Sequence, residues 1–370
     1  MPVLRREWAL GVNLVTTVLF IGFGPGWLAG LSNPAWFTFV LLWLFGAILL
    51  SALAVVRHAE SVAVKLGEPL GTLVLTLSVI GIEVMMIGAV MSTGQGNSAL
   101  ARDAMFAVVM IVLNGMVGLS LLLGGLRYHE QTYNLQGANA FLAVIVPLAV
   151  LGLVLPNLTV SSPGPTFSPL QATFLILMSV GLYGVFLAMQ TWRHRDYFVA
   201  PASAEPAERP GPEAHAGHEV RSVAYHTSLL LAYLLPLVIL SKQIAVPINF
   251  GIHVLHAPPA LGGFLVSALV LFPESVSAAR AALANQLQRS VNLLLGSVLA
   301  SISLTIPAAL TIGFMMDQTI ILGLDAVDTT LLLLTLGVSM LTFASARTNV
   351  LLGAVHLLLF LAYLMLIFEK

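Results

Sequence analysis

Eleven runs of about 20 mainly apolar residues follow one another through the chain, at 8–30, 35–56, 69–92, 102–125, 137–155, 169–192, 223–247, 258–280, 290–315, 326–344 and 348–368. Wound as an α-helix, a run of that length spans the hydrocarbon core of a bilayer. Lipid offers nothing to backbone N–H and C=O groups, so such runs must satisfy them internally. With 8% charged residues in a chain of 370, no large soluble domain is left over. The sequence therefore predicts an all-α membrane protein of about 11 transmembrane helices. The first run continues to about Leu31 without a small-residue cleavage site and reads as a retained helix. Basic residues favour the cytoplasmic side. With the N-terminus inside, 12 of the 15 Lys and Arg residues fall there, and Arg102, Lys242 and Lys370 fall outside. This places the N-terminus in the cytoplasm and the C-terminus outside.

One connection differs in composition from the others. Residues 193–222, "RHRDYFVAPASAEPAERPGPEAHAGHEVRS", are rich in Pro, Ala and Glu and predict a flexible cytoplasmic linker. It separates an N-terminal helix (1–34) and a first five-helix half (35–192) from a second five-helix half (223–370). "PLGTLVLTLSVIGIE" in the first half aligns with "ALGGFLVSALVLFPE" in the second. Leu70 and Gly71 match Leu261 and Gly262, Thr76 matches Ser267, and Glu83 and Glu274 each lie twelve residues after the matched glycine. An odd number of crossings separates the two segments, so they run in opposite directions and predict an inverted repeat.

A charge at the centre of a membrane helix costs at least ~2.5–3.5 kcal/mol, so a retained carboxylate there points to a task. Inverted symmetry would bring Glu83 and Glu274 together near the midplane, where two carboxylates can neutralise one divalent cation. Ca²⁺ takes six to eight oxygens, amide and hydroxyl oxygens among them. Asn114, inside the fourth run, and Ser297 in the ninth are the expected neutral ligands, with Thr76, Ser267, Ser301 and Ser303 as further helpers. Without a cation, two facing carboxylates in a low dielectric cannot both stay ionised, so the pair takes up protons. Cation and proton then compete for the same oxygens, which is a mechanism of exchange. Gly81 and Pro273, close before the two acids, are expected to loosen their helices and free carbonyls, whereas Gly71, Gly262 and Gly263 read as packing positions. The histidine pairs of "HAGH" (215–218) and "HVLH" (253–256) read as loop residues, since two imidazoles make no zinc site. Cysteine is absent, and no Walker or GxSxG motif occurs, so nothing points to ATP, to hydrolysis or to a bound cofactor.

These segments resemble the cation/proton exchanger branch of the calcium/cation antiporter superfamily, and more closely the bacterial ChaA-type calcium/proton antiporters. "AESVAVKLGEPLGTLVLTLSVIGIEV" looks like the first α-repeat, and "ALGGFLVSALVLFPESVSAARAALANQLQRSVNLLLGSVLASISLTIPA" like the second. "RHAES", "LGEP", "ARDAMFAVVMIVL", "LRYHEQ" and "QTWRHRDYF" look ChaA-like in particular. The Gly-Asn that precedes the acid in plant and fungal relatives is replaced by "SVIGI" and "LVLFP", and the glutamine after "LGS" by Ala300. The resemblance implies an inner-membrane protein that carries Ca²⁺ outward in exchange for protons and is not an enzyme. Na⁺/H⁺ or K⁺/H⁺ exchange at the same site is the alternative, and a cation channel is the alternative from another class. The partners it implies are the lipid bilayer, small cations and protons, with no nucleic acid.

Overall fold

The structure, a computed structural model, describes residues 7–67, 70–91, 98–201 and 222–369. Eleven helices account for nearly all of them: α1 (Trp8–Ala29), α2 (Pro34–Leu66), α3 (Leu70–Met91), α4 (Leu100–Tyr128), α5 (Leu135–Leu153), α6 (Pro169–Ala188), α7 (Val223–His253), α8 (Ala260–Leu283), α9 (Leu287–Met315), α10 (Ala326–Thr342) and α11 (Val350–Phe368). Nine of them are long and apolar enough to cross a membrane, and α3 and α10 contribute the shorter apolar helices Val74–Ala89 and Ala326–Thr342.

Local chemistry sets the helix starts. Asn33 caps α2, its side chain accepting from the N–H groups of Ala35 and Trp36, with Pro34 in the first position that needs no donor. Ser168 and Gln171 form a reciprocal capping box ahead of α6. Asn134, Ser222, Asp325 and Asn349 cap α5, α7, α10 and α11. Helix α2 runs ten residues past the expected end at 56 and stops at Gly67, whose φ of 65° is the left-handed conformation that glycine adopts without strain.

The helices form two compact units, Met1–Leu100 with Val220–Pro273, and Ala101–Glu219 with Glu274–Lys370. Each draws on both sides of the 193–222 segment, and α8 is divided between Pro273 and Glu274. In the first unit α2 packs against α7 and α3, and α1 against α7 and α2. Phe20, Trp27 and Trp43 meet edge to face or tilted, with centroids 5.2–5.6 Å apart. At one end Glu7 Oε2 accepts from Arg57 (2.5 Å) and the Tyr233 hydroxyl (3.0 Å), with His58 Nε2 at 3.4 Å. Burial alone would raise the Glu7 carboxyl, but the Arg57 charge, the Tyr233 hydroxyl and His58 outweigh it and hold the acid below the ordinary glutamate range.

In the second unit α9 is the hub, packing against α5, α6 and the middle of α4. Helices α4 and α9 have 78% of their apolar windows buried, against 28% in α6 and α11, so the latter present more side chain to lipid. A two-residue antiparallel pair, Gln131–Thr132 with Arg347–Thr348, ties the end of α4 to the start of α11. Gln131 Nε2 donates to the carbonyl of Ala282 (2.9 Å) and to Asn285 Oδ1 (3.0 Å), fastening the α8–α9 turn. Burial pushes the Tyr133 hydroxyl above its ordinary range, and it donates to backbone carbonyls at Thr342 and Ser345.

The 193–222 segment is not a free linker from its first residue. Arg195–Phe198 form a 3-10 turn, with the Phe198 ring against Phe141 and Phe186 and its carbonyl accepting from Asn292 Nδ2 at 2.7 Å. Residues 202–221, with both histidines of "HAGH", lie outside the described residues.

Candidate functional site

Glu83 is 2% exposed, thirteen residues into α3, and Glu274 is partly buried, fourteen residues into α8. The two acids thus sit at matching depths in matched helices. The first unit carries Glu83 on α3, with Thr76 partly buried seven residues before it on the same helix face, and Ser267 fully buried on α8. The second unit carries Glu274, Asn114, Ser297, Ser301 and Ser303. The three serines are buried, and the Ser303 hydroxyl has no hydrogen-bond partner among the described residues.

Neither helix breaks at Gly81 or Pro273, although Pro273, having no N–H, leaves the Leu269 carbonyl without its helical donor. Neighbouring turns in a packed membrane helix hold the rest. At Gly262 an added Cβ would lie 3.3 Å from Ile248, a close approach of α8 to α7, and Gly263 is buried beside it. The surroundings of Gly71 lie outside the described residues.

A departure from regular helix beside a candidate ligand lies in α4. Met110–Met116 is a π-helical turn, and Asn114 is inside it, fully buried. Such turns insert an extra residue, re-aim the side chains around it and recur at functional sites. Here Asn114 Nδ2 donates to Thr335 Oγ1 on α10 (2.8 Å) and to Met110 Sδ (3.5 Å). Its Oδ1 lies 3.2 Å from His356 Nδ1 on α11, and His356 Nε2 lies 2.9 Å from Thr342 Oγ1. All five side chains are fully buried.

Glycines make this convergence possible. A Cβ at Gly118 would fall 2.9 Å from the Leu357 nitrogen and 3.0 Å from the Gly353 oxygen, and one at Gly115 3.3 Å from the Phe360 ring. Close backbone approach through small residues is the usual way to pack helices without a hydrophobic drive between them. It brings the turn of α11 that carries His356 onto the π-helical turn.

His356, Thr335 and Thr342 were not among the residues that spacing and hydropathy single out. A signal was present, because "GAVHLLLF" places an ionisable ring inside an apolar span, as "GIEV" places an acid. Among the described residues no group of three or more His, Asp and Glu side chains forms a metal centre.

The family model described as sodium/calcium exchanger protein matches residues 36–192 and 226–369 of the chain. The chain belongs to this family. It is 40% identical over 355 residues to the sodium-potassium/proton antiporter ChaA of Escherichia coli, covering 96% of this chain and 94% of that one. It is 42% identical over 331 residues to the putative ionic transporter y4hA of Sinorhizobium fredii, covering 88% of each. Among solved structures, native YfkE superposes with a TM-score of 0.73 at 15% identity, covering 98% of this chain and all of the other. The H⁺/Ca²⁺ exchanger CAX superposes with a TM-score of 0.65 at 16% identity, covering 95% and 88%. At such identities the likeness is one of fold. Membership bears out the resemblance seen in the sequence: this member of the sodium/calcium exchanger family is a multi-pass membrane antiporter of the cation-exchange type.

Proposed function

We propose that the chain exchanges a cytoplasmic cation for protons, with Glu83 and Glu274 as the charged ligands that both species compete for. The observation that carries this reading is the matched pair of acids, one in each α-repeat, at equivalent depth in α3 and α8. Asn114 is the neutral ligand on the first side, and Ser297, with Ser301 and Ser303, supplies hydroxyls on the second. Ca²⁺ suits two carboxylates and irregular neutral oxygens, and the two charges balance. Loading Ca²⁺ expels protons, and reloading protons expels Ca²⁺. Direction follows from the proton gradient, and the N-terminus lies on the cytoplasmic side of the inner membrane.

A second reading keeps these residues and changes the ion. It is favoured by the 40% identity to a protein named as a sodium-potassium/proton antiporter. A monovalent ion leaves one carboxylate charge over, which a retained proton balances.

Proton movement in proteoliposomes of the purified chain, driven in turn by Ca²⁺, Na⁺, K⁺ and Mg²⁺, separates the two readings. Mg²⁺ should compete poorly, because it demands octahedral geometry and gives up water reluctantly. Glu83→Gln and Glu274→Gln keep an oxygen and remove the titratable charge. Each is expected to abolish exchange, and near-normal exchange in either would reduce that acid to a structural residue.

A further inference from the structure

The donors and acceptors around Asn114 can be counted. Both hydrogens of Nδ2 are spent, one on Thr335 Oγ1 and one on Met110 Sδ. Thr335 Oγ1 then donates onward to the same sulfur at 3.6 Å. Oδ1 accepts from His356 Nδ1, which leaves one lone pair. Because Oδ1 can only accept, the neutral ring facing it carries its hydrogen on Nδ1, and Nε2 is left to accept from the Thr342 hydroxyl at 2.9 Å. In this arrangement the only unspent capacity of the Asn114 amide is an oxygen lone pair.

The reverse arrangement has a different outcome. With the amide turned over, an N–H would point at His356 Nδ1, Thr335 would donate to the oxygen, and the other N–H would be left over. The Met110 sulfur would lose the N–H it now accepts and face an oxygen instead. A cation meeting that amide would meet hydrogen, not oxygen.

We propose that His356 is the positioning residue that holds the Asn114 amide with its oxygen available to the cation. The inference rests on the reading of Asn114 as a ligand. His356 touches no transported ion; it acts through Asn114. The close glycine packing of α4 on α11 sets its reach, and Thr342 pairs with the ring nitrogen that faces away from the amide.

The test is cation-dependent proton movement in proteoliposomes of the full chain, with Ca²⁺, Na⁺ and K⁺ as probes. The variants are His356→Phe, His356→Gln, Asn114→Ala and the His356→Phe/Asn114→Ala double. Phe keeps a ring and loses both nitrogens, while Gln keeps an N–H to donate. His356→Phe is expected to weaken apparent cation affinity about tenfold, the equivalent of one lost hydrogen bond, with a much smaller change in maximal rate. His356→Gln should recover most of that loss. In the Asn114→Ala background His356→Phe should add little, because its effect passes through the missing amide. A merely structural histidine would instead lower affinity and rate together and add fully in the double. That result, or unchanged affinity in His356→Phe beside weakened affinity in Asn114→Ala, overturns the positioning role alone. Unchanged affinity in Asn114→Ala overturns the ligand reading and the positioning role with it. Should His356→Phe not fold, Thr335→Val removes the acceptor on the other side of the amide and is expected to show the same non-additivity with Asn114→Ala; additivity there would overturn the proposal.

Discussion

A polar side chain inside a membrane span needs a partner or a task, and α4 shows how closely packing decides which one it finds. Gly118 and Gly353 let the backbones of α4 and α11 touch, with a Cβ on Gly353 falling 2.5 Å from the Leu122 nitrogen and 2.9 Å from the Gly118 oxygen. Neither atom belongs to a flexible side chain, so Gly353→Ala has to push the helices apart. The expected cost is ~1–3 kcal/mol of stability, read as a lower unfolding temperature in detergent, together with weaker cation affinity as His356 withdraws from Asn114. An unchanged unfolding temperature would mean that this contact is looser than its geometry. At this scale the sequence was legible for Glu83, Glu274 and Asn114, each a polar residue in an apolar run. It was not legible for the company Asn114 keeps. Thr335 and His356 lie more than 200 residues away in the chain, and pairing across that distance depends on helix packing that no local pattern encodes.

Among the elements, all eleven helices could be read from hydropathy, because twenty apolar residues in lipid have no other way to satisfy their backbone. Their ends and irregularities were harder. Arg57 and His58 looked like the end of the second span, yet a helix does not stop where the membrane does, and α2 continues until Gly67. Glycine and proline suggested loosened helices, yet α3 continues through Gly81, which keeps its N–H, and α8 continues past the one donor lost at Pro273. The π-helical turn in α4 has no proline and one glycine in "MIVLNGM", so composition could not announce it. The extra length of α2 has a use: Arg57 and His58 reach Glu7 ahead of α1, and Tyr233 joins from α7. Because Glu7 is held below its ordinary range, the folded state favours its ionised form. That stabilisation is fully present above the unfolded-state value and is lost as pH falls through the folded one. Glu7→Gln should therefore lower stability by about 1.5–3 kcal/mol near neutral pH, the range for hydrogen bonds to a charged group. The difference from the parent should shrink on acidification below the ordinary glutamate range, in unfolding curves recorded at a series of pH values. A difference that stays constant into acid would show that the charge of Glu7 is not what anchors α1.

Across the whole molecule, the inverted repeat read from "LGTLVLTLSVIGIE" and "LGGFLVSALVLFPE" does not divide the chain where the structure does. Both compact units take helices from each half, and the division inside α8 falls immediately before Glu274. A repeat is a statement about ancestry and direction; a unit is a statement about which surfaces bury one another. The central claim is that protons and cation occupy the same carboxylate oxygens, so that each excludes the other. Protonation at falling pH must then weaken cation binding by competition alone, whichever cation is carried. The most direct measurement is the apparent cation affinity of the purified chain in proteoliposomes at pH values from about 6 to about 9, with Asn114→Ala alongside. Competition predicts an affinity that tightens steadily towards alkaline pH in both proteins, the variant being weaker at every pH but keeping the same slope. An affinity in the parent protein that does not change with pH would contradict the shared site, even if the chain transports the ion.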